Sequence, residues 1–117
     1  MVAAQPLDHN LRPRELRSDL DLSRERMARL VDVSSKTIER WEERESLPAS
    51  SRIRVQFSRL AELRDLGLTV YTPEGFKSFL RTPLPVFNGR SPLQMIEVGE
   101  IEHVITALAA DYEGLGS

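Results

Sequence analysis

Side chains suited to catalytic chemistry are scarce in this sequence of 117 residues. It contains no cysteine and only two histidines, His9 and His103, which excludes disulfides, a thiolate nucleophile, cysteine-ligated zinc and a histidine-rich metal site. Glu97 and Glu100 lie on opposite sides of Gly99, so a paired-carboxylate catalyst is disfavoured. His103 has no serine or aspartate close by in sequence for a triad and is expected on a solvated helix surface. The sequence therefore predicts a protein that is not an enzyme and needs neither a metal nor a cofactor.

Hydrogen-bond donors, in contrast, are grouped in the first half of the chain. Ser35, Lys36 and Arg40 fall on the free face of a predicted helix. Donors of this kind bind base edges in the major groove of DNA, and arginine is suited to bidentate recognition of guanine. Three further arginines could reach flanking phosphates, namely Arg44, Arg52 and Arg54. The pattern predicts a DNA-binding face.

Acidic residues in the same stretch leave a second interpretation open. Glu39, Glu42, Glu43 and Glu45 share this region and would repel phosphate. Many two-helix hairpins also present a charged, solvated face that binds nothing. A helix pair that contacts DNA weakly, or binds a protein instead, is therefore the alternative.

Two predicted helices position the donors. Ser23 is suited to cap a helix that ends at Asp32, and Ser34 to cap a second helix that ends near Arg44. Ile38 points inward from the second helix. A helix, a three-residue turn and a second helix form the helix-turn-helix layout, in which the second helix enters the major groove.

This stretch resembles the Xre-type, phage-repressor-like helix-turn-helix family. The turn has Asp32 where the family prefers glycine, but aspartate tolerates the left-handed conformation better than most residues. The resemblance implies that the three donors of the free face lie at base edges and that Ser34 and Thr37 contact phosphates. The matching residues are Ser23, Met27, Ala28, Val33, Ser34, Thr37, Ile38, Trp41, Glu42 and Pro48.

Composition and patterning favour an all-α fold. Hydrophobic residues make up 40% and aromatic residues only 6%, so the core is mostly aliphatic, and seven prolines and six glycines separate short helices. The best strand candidate, Leu68–Tyr71, is only four residues long. We expect a short helix over 13–20, and a longer one that opens at Ser50 or Ser51 and is ended by Gly67.

Charge divides the chain into two parts. Thirteen basic and eleven acidic residues precede Asp65, whereas three basic and seven acidic residues follow from there onward. We therefore expect a flexible arm over 1–10, a helix-turn-helix DNA-binding domain over 11–67 and a second small domain over 68–117.

The chain carries no targeting or membrane signal. No apolar run approaches the roughly 20 residues that a membrane helix needs, and the first ten residues lack the layout of a signal peptide. The net charge of −2 excludes a polybasic tail, so nucleic-acid binding would require a local patch. These features predict a cytoplasmic protein without a membrane partner.

Caps and glycines mark the helices of the second half. Thr72-Pro73 opens the first helix, and residues 91–94 form a capping box with proline in the first turn. Gly99 ends that helix, and the last helix runs from Glu100 to Gly114. Its apolar stripe must pack on a neighbour, either the long helix or a second subunit. The stripe comprises Ile101, Val104, Ile105, Leu108 and Tyr112.

This half resembles the toxin-binding domain of the Xre/MbcA/ParS antitoxin family. Phe79 stands where the family usually has tryptophan, which keeps an aromatic ring but loses the indole donor. Together the two resemblances cover about residues 13–116, in the order typical of the family. The matching residues of this half are Leu80, Pro83, Gly89, Ser91, Pro92, Leu93, Ile96, Gly99, Glu100, Val104, Leu108 and Gly114.

The resemblance implies a type II antitoxin. Its second half would block the active site of a NAD-consuming RES-domain toxin encoded by the neighbouring gene, and its first half would bind operator DNA and repress the operon. The partners would be this toxin and the operator, with the chain as a homodimer or in a higher hetero-oligomer with the toxin. The residues expected at the toxin are Phe79, Gly89, Arg90, Pro92, Asp111, Tyr112 and Glu113.

Other interpretations stay open at this point. The acidic tail around Tyr112 would enter a basic pocket of the toxin, or Tyr112 would instead pack on the core. The whole chain would also suit a stand-alone Xre-family regulator with a C-terminal dimerisation module. A third alternative is a protein-interaction adaptor that no longer binds DNA.

Overall fold

A computed structural model describes residues 11–115, which form seven α-helices and one short 3-10 turn, with no strand in that range. An isolated bridge between Leu84 and Arg90 is the one β-type pairing among them. The predicted all-α fold is confirmed. The predicted arm over 1–10, with His9, lies outside the described residues. The helices are α1 (Pro13–Asp19), α2 (Arg24–Val31), α3 (Ser35–Arg44), α4 (Ser51–Val70), α5 (Pro73–Arg81), α6 (Pro92–Glu97) and α7 (Ile101–Leu115), and the 3-10 turn is Pro85–Phe87.

Helices α2 and α3 have the predicted ends and caps. The Oγ of Ser23 accepts a hydrogen bond from the amide of Arg26, and the Oγ of Ser34 accepts one from the amide of Thr37, each at 3.1 Å. Asp32 adopts the left-handed conformation, with φ 58° and ψ 54°. Asp32 is the first of three residues that join the two helices, and α2 and α3 pack directly on each other.

Helix α3 contributes Ile38 and Trp41 to the core of the first half. Ile38 is fully buried, and Trp41, which is partly buried, sets its ring edge-on to that of Phe57 with centroids 5.9 Å apart. Edge-to-face packing of this kind stabilises aromatic pairs beyond the area they bury. Trp41 is therefore a core residue.

Helix α4 continues beyond its predicted end. The helix was expected to end at Gly67, but it extends to Val70, so the predicted end is wrong. It takes in most of Leu68–Tyr71, the segment that was the best strand candidate, and no strand forms there. Gly67 is buried where α5 crosses α4, and a Cβ there would lie 2.1 Å from Cε1 of Phe76. The glycine thus permits a close helix crossing, which explains its presence without a helix end.

The predicted caps of the second half are confirmed. The Oγ1 of Thr72 accepts a hydrogen bond from the amide of Gly75 at 3.0 Å. At α6 the amide of Gln94 donates to the Oγ of Ser91 at 3.1 Å, and the amide of Ser91 donates to the Oε1 of Gln94 at 2.9 Å. This reciprocal pair satisfies two backbone donors that the helix itself leaves open.

Helix α7 packs its apolar stripe on α4 of the same chain, one of the two neighbours expected. Val104, Ile105 and Leu108 are buried by this packing. Tyr112 is 50% exposed, so the interpretation that it packs on the core is wrong. The helix also continues one residue past Gly114, its predicted end.

Ion pairs join the two halves of the chain. The Nε of Arg26 on α2 lies 3.1 Å from the Oε2 of Glu97 on α6. Arg81 on α5 lies 3.2 Å from the carboxylate of Asp21 and donates to its carbonyl oxygen at 2.7 Å. The buried side chains of both halves form one continuous core. The domain division at residue 67 stays a prediction, and it falls inside α4.

Candidate functional site

The free face of α3 presents the donors that the sequence predicts for DNA. Lys36 and Arg40 are exposed, and Ser35 is partly exposed. Within residues 11–115 neither cation has an ion-pair partner, and the same is true of Arg44 at the end of the helix. Three cations without an ion-pair partner therefore lie along one short helix, which also carries the carboxylates of Glu39 and Glu43.

Ser34 and Thr37, the predicted phosphate contacts, lie at the N-terminal end of α3. Their hydroxyl oxygens are 2.8 Å apart, and the Ser34 hydroxyl also accepts the amide of Thr37. Both hydroxyls are therefore fixed by the cap. Their position at the positive end of the helix dipole suits contact with an anion.

Glu42 has a different position from the predicted one. It was expected among the acidic residues that repel phosphate, but Glu42 is only 2% exposed, so that prediction is wrong for this residue. Arg17 of α1 donates to its Oε2 from Nε at 2.5 Å and to its Oε1 from a terminal nitrogen at 3.1 Å. Arg24 of α2 donates from Nε to Oε1 at 3.0 Å. One carboxylate thus ties α3 to both preceding helices.

Two features of the surroundings of Glu42 have opposite effects on the pKa of its carboxyl group. Burial raises the pKa of the carboxyl, but hydrogen bonds and positive charges from Arg17 and Arg24 outweigh burial and hold the pKa below its ordinary value. The group is therefore a carboxylate at neutral pH. It orients α3, and with it the exposed donors on the far side of the helix.

The two arginines at the start of α4, Arg52 and Arg54, differ in how their guanidinium groups are hydrogen-bonded. The guanidinium of Arg54 donates to the carbonyl oxygens of Pro48 and Leu47 at 3.0 and 3.3 Å, so it holds the loop between α3 and α4. Arg52 donates to the carbonyl oxygen of Val31 at 3.3 Å and remains exposed. Of these two, Arg52 is the better placed for a flanking phosphate, and Arg54 is first a structural residue of the loop.

Two of the predicted toxin contacts are core residues. Phe79 is 9% exposed and stacks on Tyr71 with ring centroids 5.0 Å apart, and Pro92 is buried in the first turn of α6. Both side chains therefore pack within the chain, and contact with a partner stays a prediction for them. The aromatic ring of Phe79 serves packing, which requires no indole donor.

The other predicted toxin contacts lie at the surface. Gly89 and Arg90 are exposed in the loop before α6, and Gly89 has φ 83°. Asp111, Tyr112 and Glu113 are exposed along the last turns of α7. These two groups of residues belong to different elements, so the predicted partner surface is divided into a loop and a helix end.

Sequence reasoning missed a groove between that loop and α7. It is lined on the α7 side by His103, Thr106, Ala107 and Ala110. His103 is exposed, as predicted, and its Nδ1 lies 2.7 Å from the carboxylate of Glu100. The small residues that line the α7 side of the groove form no recognisable sequence motif. The sequence therefore contains no signal from which the groove could have been predicted.

Residues 11–115 contain no group of three potential metal ligands. None of the helices in that range is long and apolar enough to cross a membrane.

Comparison with known proteins finds a family match in the second half. Residues 67–114 match the family model of the antitoxin Xre/MbcA/ParS C-terminal toxin-binding domain, which confirms the predicted resemblance. The fold is similar to that of a chain in the crystal structure of the M. tuberculosis MbcT–MbcA toxin–antitoxin complex. The TM-score is 0.70 at 20% sequence identity, over 90% of this chain and 94% of that chain. A search of curated proteins found no match.

Proposed function

We propose that this chain, whose residues 67–114 match the family model of the Xre/MbcA/ParS toxin-binding domain, is the antitoxin of a toxin–antitoxin pair. Its second half neutralises a NAD-consuming RES-domain toxin encoded by the neighbouring gene, and its first half binds the operator and represses the operon. The family match is the observation that carries the proposal. It is supported by a shared core that joins this domain to a helix pair with free cations.

Neutralisation uses the exposed end of α7. Asp111 and Glu113 have no ion-pair partner within residues 11–115 and flank the half-exposed ring of Tyr112. A toxin that consumes NAD needs cations or N–H donors for the pyrophosphate of its substrate. An acidic segment with one aromatic ring complements such a pocket in charge and in apolar area. The antitoxin then blocks the active site by occupying it.

Repression uses the free face of α3. Lys36 and Arg40 lie opposite the buried Glu42, so the same helix is fixed on one side and open to the groove on the other. One helix pair buries little surface, and repressors of this layout bind two half-sites roughly 34 Å apart. The operator complex therefore requires two copies of the chain, as a homodimer or within an assembly with the toxin.

Co-expression with the adjacent gene tests the proposal. The wild-type chain should keep cellular NAD at the level of cells without the toxin and should be recovered in complex with it. The double variant Asp111→Lys, Glu113→Lys reverses the charge of the tail and should leave NAD depleted. Glu74→Lys is the matched control, since Glu74 is exposed on α5 of the same half.

The outcomes separate the parts of the proposal. If the wild-type chain neither binds the adjacent gene product nor preserves NAD, it is not an antitoxin of that product. If the doubly reversed variant preserves NAD as the wild type does, the tail is not the inhibitory segment. Circular dichroism of each variant establishes that a lost effect does not come from unfolding.

A further inference from the structure

A groove of about 460 Å³ lies between the loop of residues 84–90 and helix α7. Val86 projects from the loop wall with 71% of its surface exposed. The facing wall carries His103, Thr106 and Ala110, which share one side of α7 because of their helical spacing. An exposed apolar side chain therefore lies at the rim of an open concave surface, and concave surfaces of this kind are where partners and ligands bind.

The loop wall is held in one conformation by its own backbone. The amide of Leu84 donates to the carbonyl oxygen of Arg90 at 3.0 Å, and the amide of Gly89 donates to that of Leu84 at 2.9 Å. Phe87 is buried and anchors the loop, while Asn88 and Gly89 turn the chain with positive φ. A wall that is ordered before binding loses little conformational entropy when a partner arrives.

The lining of the groove is mainly apolar and small. Phe87 and Met95 are buried and contribute its apolar base. On α7, Ala107 and Ala110 leave the space open that larger side chains would fill. The groove therefore has room for a side chain from another molecule, and its apolar base favours an apolar one.

One cation of the groove has no ion-pair partner within residues 11–115, namely the exposed Arg90. On the facing wall the Nδ1 of His103 lies 2.7 Å from the carboxylate of Glu100. A single cation beside apolar lining complements an apolar side chain next to a carboxylate. It does not complement the regularly spaced phosphates of DNA, which require several cations.

We infer that this groove receives an apolar side chain of the toxin, next to a carboxylate that pairs with Arg90. The inference rests on the proposed function, because both walls lie within the matched residues 67–114. The groove is a second contact with the toxin, besides the acidic tail. At the tail a segment of this chain enters the toxin, whereas at the groove a side chain of the toxin enters this chain. Residues Val86, Thr106 and Ala110 at the groove opening then determine which toxin is accepted.

Isothermal titration calorimetry of the full chain with the purified product of the adjacent gene tests the inference. Ala110→Trp fills the groove and should weaken binding at least about 30-fold, the loss typical of a blocked interface centre. Arg90→Glu should weaken binding about 10-fold or more by placing like charges together. Ser78→Trp, on the exposed side of α5, is the matched control and should bind as the wild type does.

The possible outcomes distinguish a toxin contact at the groove from the alternatives. Wild-type affinity in both Ala110→Trp and Arg90→Glu would overturn the groove as a toxin contact and leave the antitoxin proposal standing. No binding by the wild-type chain would overturn both. If Ala110→Trp abolishes self-association in sedimentation equilibrium but keeps toxin affinity, a second copy covers the groove and the inference is wrong. Arg90→Glu changes only an exposed side chain, so it decides the matter should Ala110→Trp fail to fold.

Discussion

The Nε of Arg17 on α1 lies 2.5 Å from the Oε2 of Glu42 on α3, although the two residues are 25 positions apart in sequence. This contact anchors the inner side of the helix whose outer side carries the exposed donors. The orientation of the proposed DNA-binding face thus depends on a carboxylate that never reaches the solvent.

Removal of this carboxylate should destabilise the protein. We expect Glu42→Ala to lower the free energy of unfolding by about 2–3 kcal/mol, because guanidinium groups that are only partly exposed lose their partner. Urea denaturation monitored by circular dichroism measures the effect. Glu43→Ala, at the exposed neighbouring position, is the control and should change stability by less than about 0.5 kcal/mol. Equal effects of the two variants would contradict the anchoring role.

A fall in pH should remove the stability that the Glu42 carboxylate contributes. The pKa of Glu42 in the folded chain lies below its ordinary value of 4.5, so the unfolded chain takes up a proton first as the pH falls. The stability that this carboxylate contributes is therefore complete above pH 4.5 and is lost as the pH falls through the lower pKa of the folded state. Urea unfolding as a function of pH should show the decline, and Glu42→Gln should reduce it. An identical decline in Glu42→Gln would assign the acid sensitivity to other groups.

The close crossing of α4 and α5 should tolerate no side chain at Gly67. A Cβ at this position would lie 2.1 Å from the ring of Phe76, so Gly67→Ala should cost about 1–3 kcal/mol of stability despite the better helix propensity of alanine. Gly114→Ala is the matched control in the last turn of α7, where a Cβ meets nothing within 4 Å, and it should not lower stability. Thermal unfolding compares the two. A neutral Gly67→Ala would mean that Phe76 moves aside at little cost.

The exposed donors of α3 should determine operator affinity. We expect Arg40→Ala to weaken binding to the DNA upstream of the operon by about 1–3 kcal/mol, and Lys36→Ala to weaken it as well. Gel shift at one fixed salt concentration is the measurement, since phosphate contacts depend strongly on salt. Lys77→Ala, on α5, is the control and should have no effect. Toxin affinity should be unchanged in all three variants, and unchanged DNA affinity in both α3 variants would exclude this face.

Much of the local structure could be predicted from the sequence because its causes are local. Ser23, Ser34 and Ser91 each cap a helix by accepting an amide three residues ahead, and the structure confirms all three. Asp32 takes the left-handed conformation that its place in the turn requires. The all-α fold follows from the same kind of short-range pattern.

Residues whose environment comes from distant parts of the chain were assigned wrongly. Glu42 looks like a surface acid in its own helix, and only the arginines of α1 and α2 make it a buried ion-pair partner. Gly67 looks like a helix end until Phe76 crosses above it. In each case the deciding contact lies on another helix.

Consecutive residues were enough to predict where the helices begin, which residues cap them and which family residues 67–114 resemble. Short-range hydrogen bonds and side-chain spacing depend only on neighbours in the sequence. Which charges are buried and which surfaces stay open depends instead on how the helices pack on one another. The groove beside Arg90 is the clearest example, because the loop of residues 84–90 and helix α7 enclose it only after both have packed on the common core. Burial is a property of the packed chain, so it cannot be predicted from the sequence of the loop or of α7 alone.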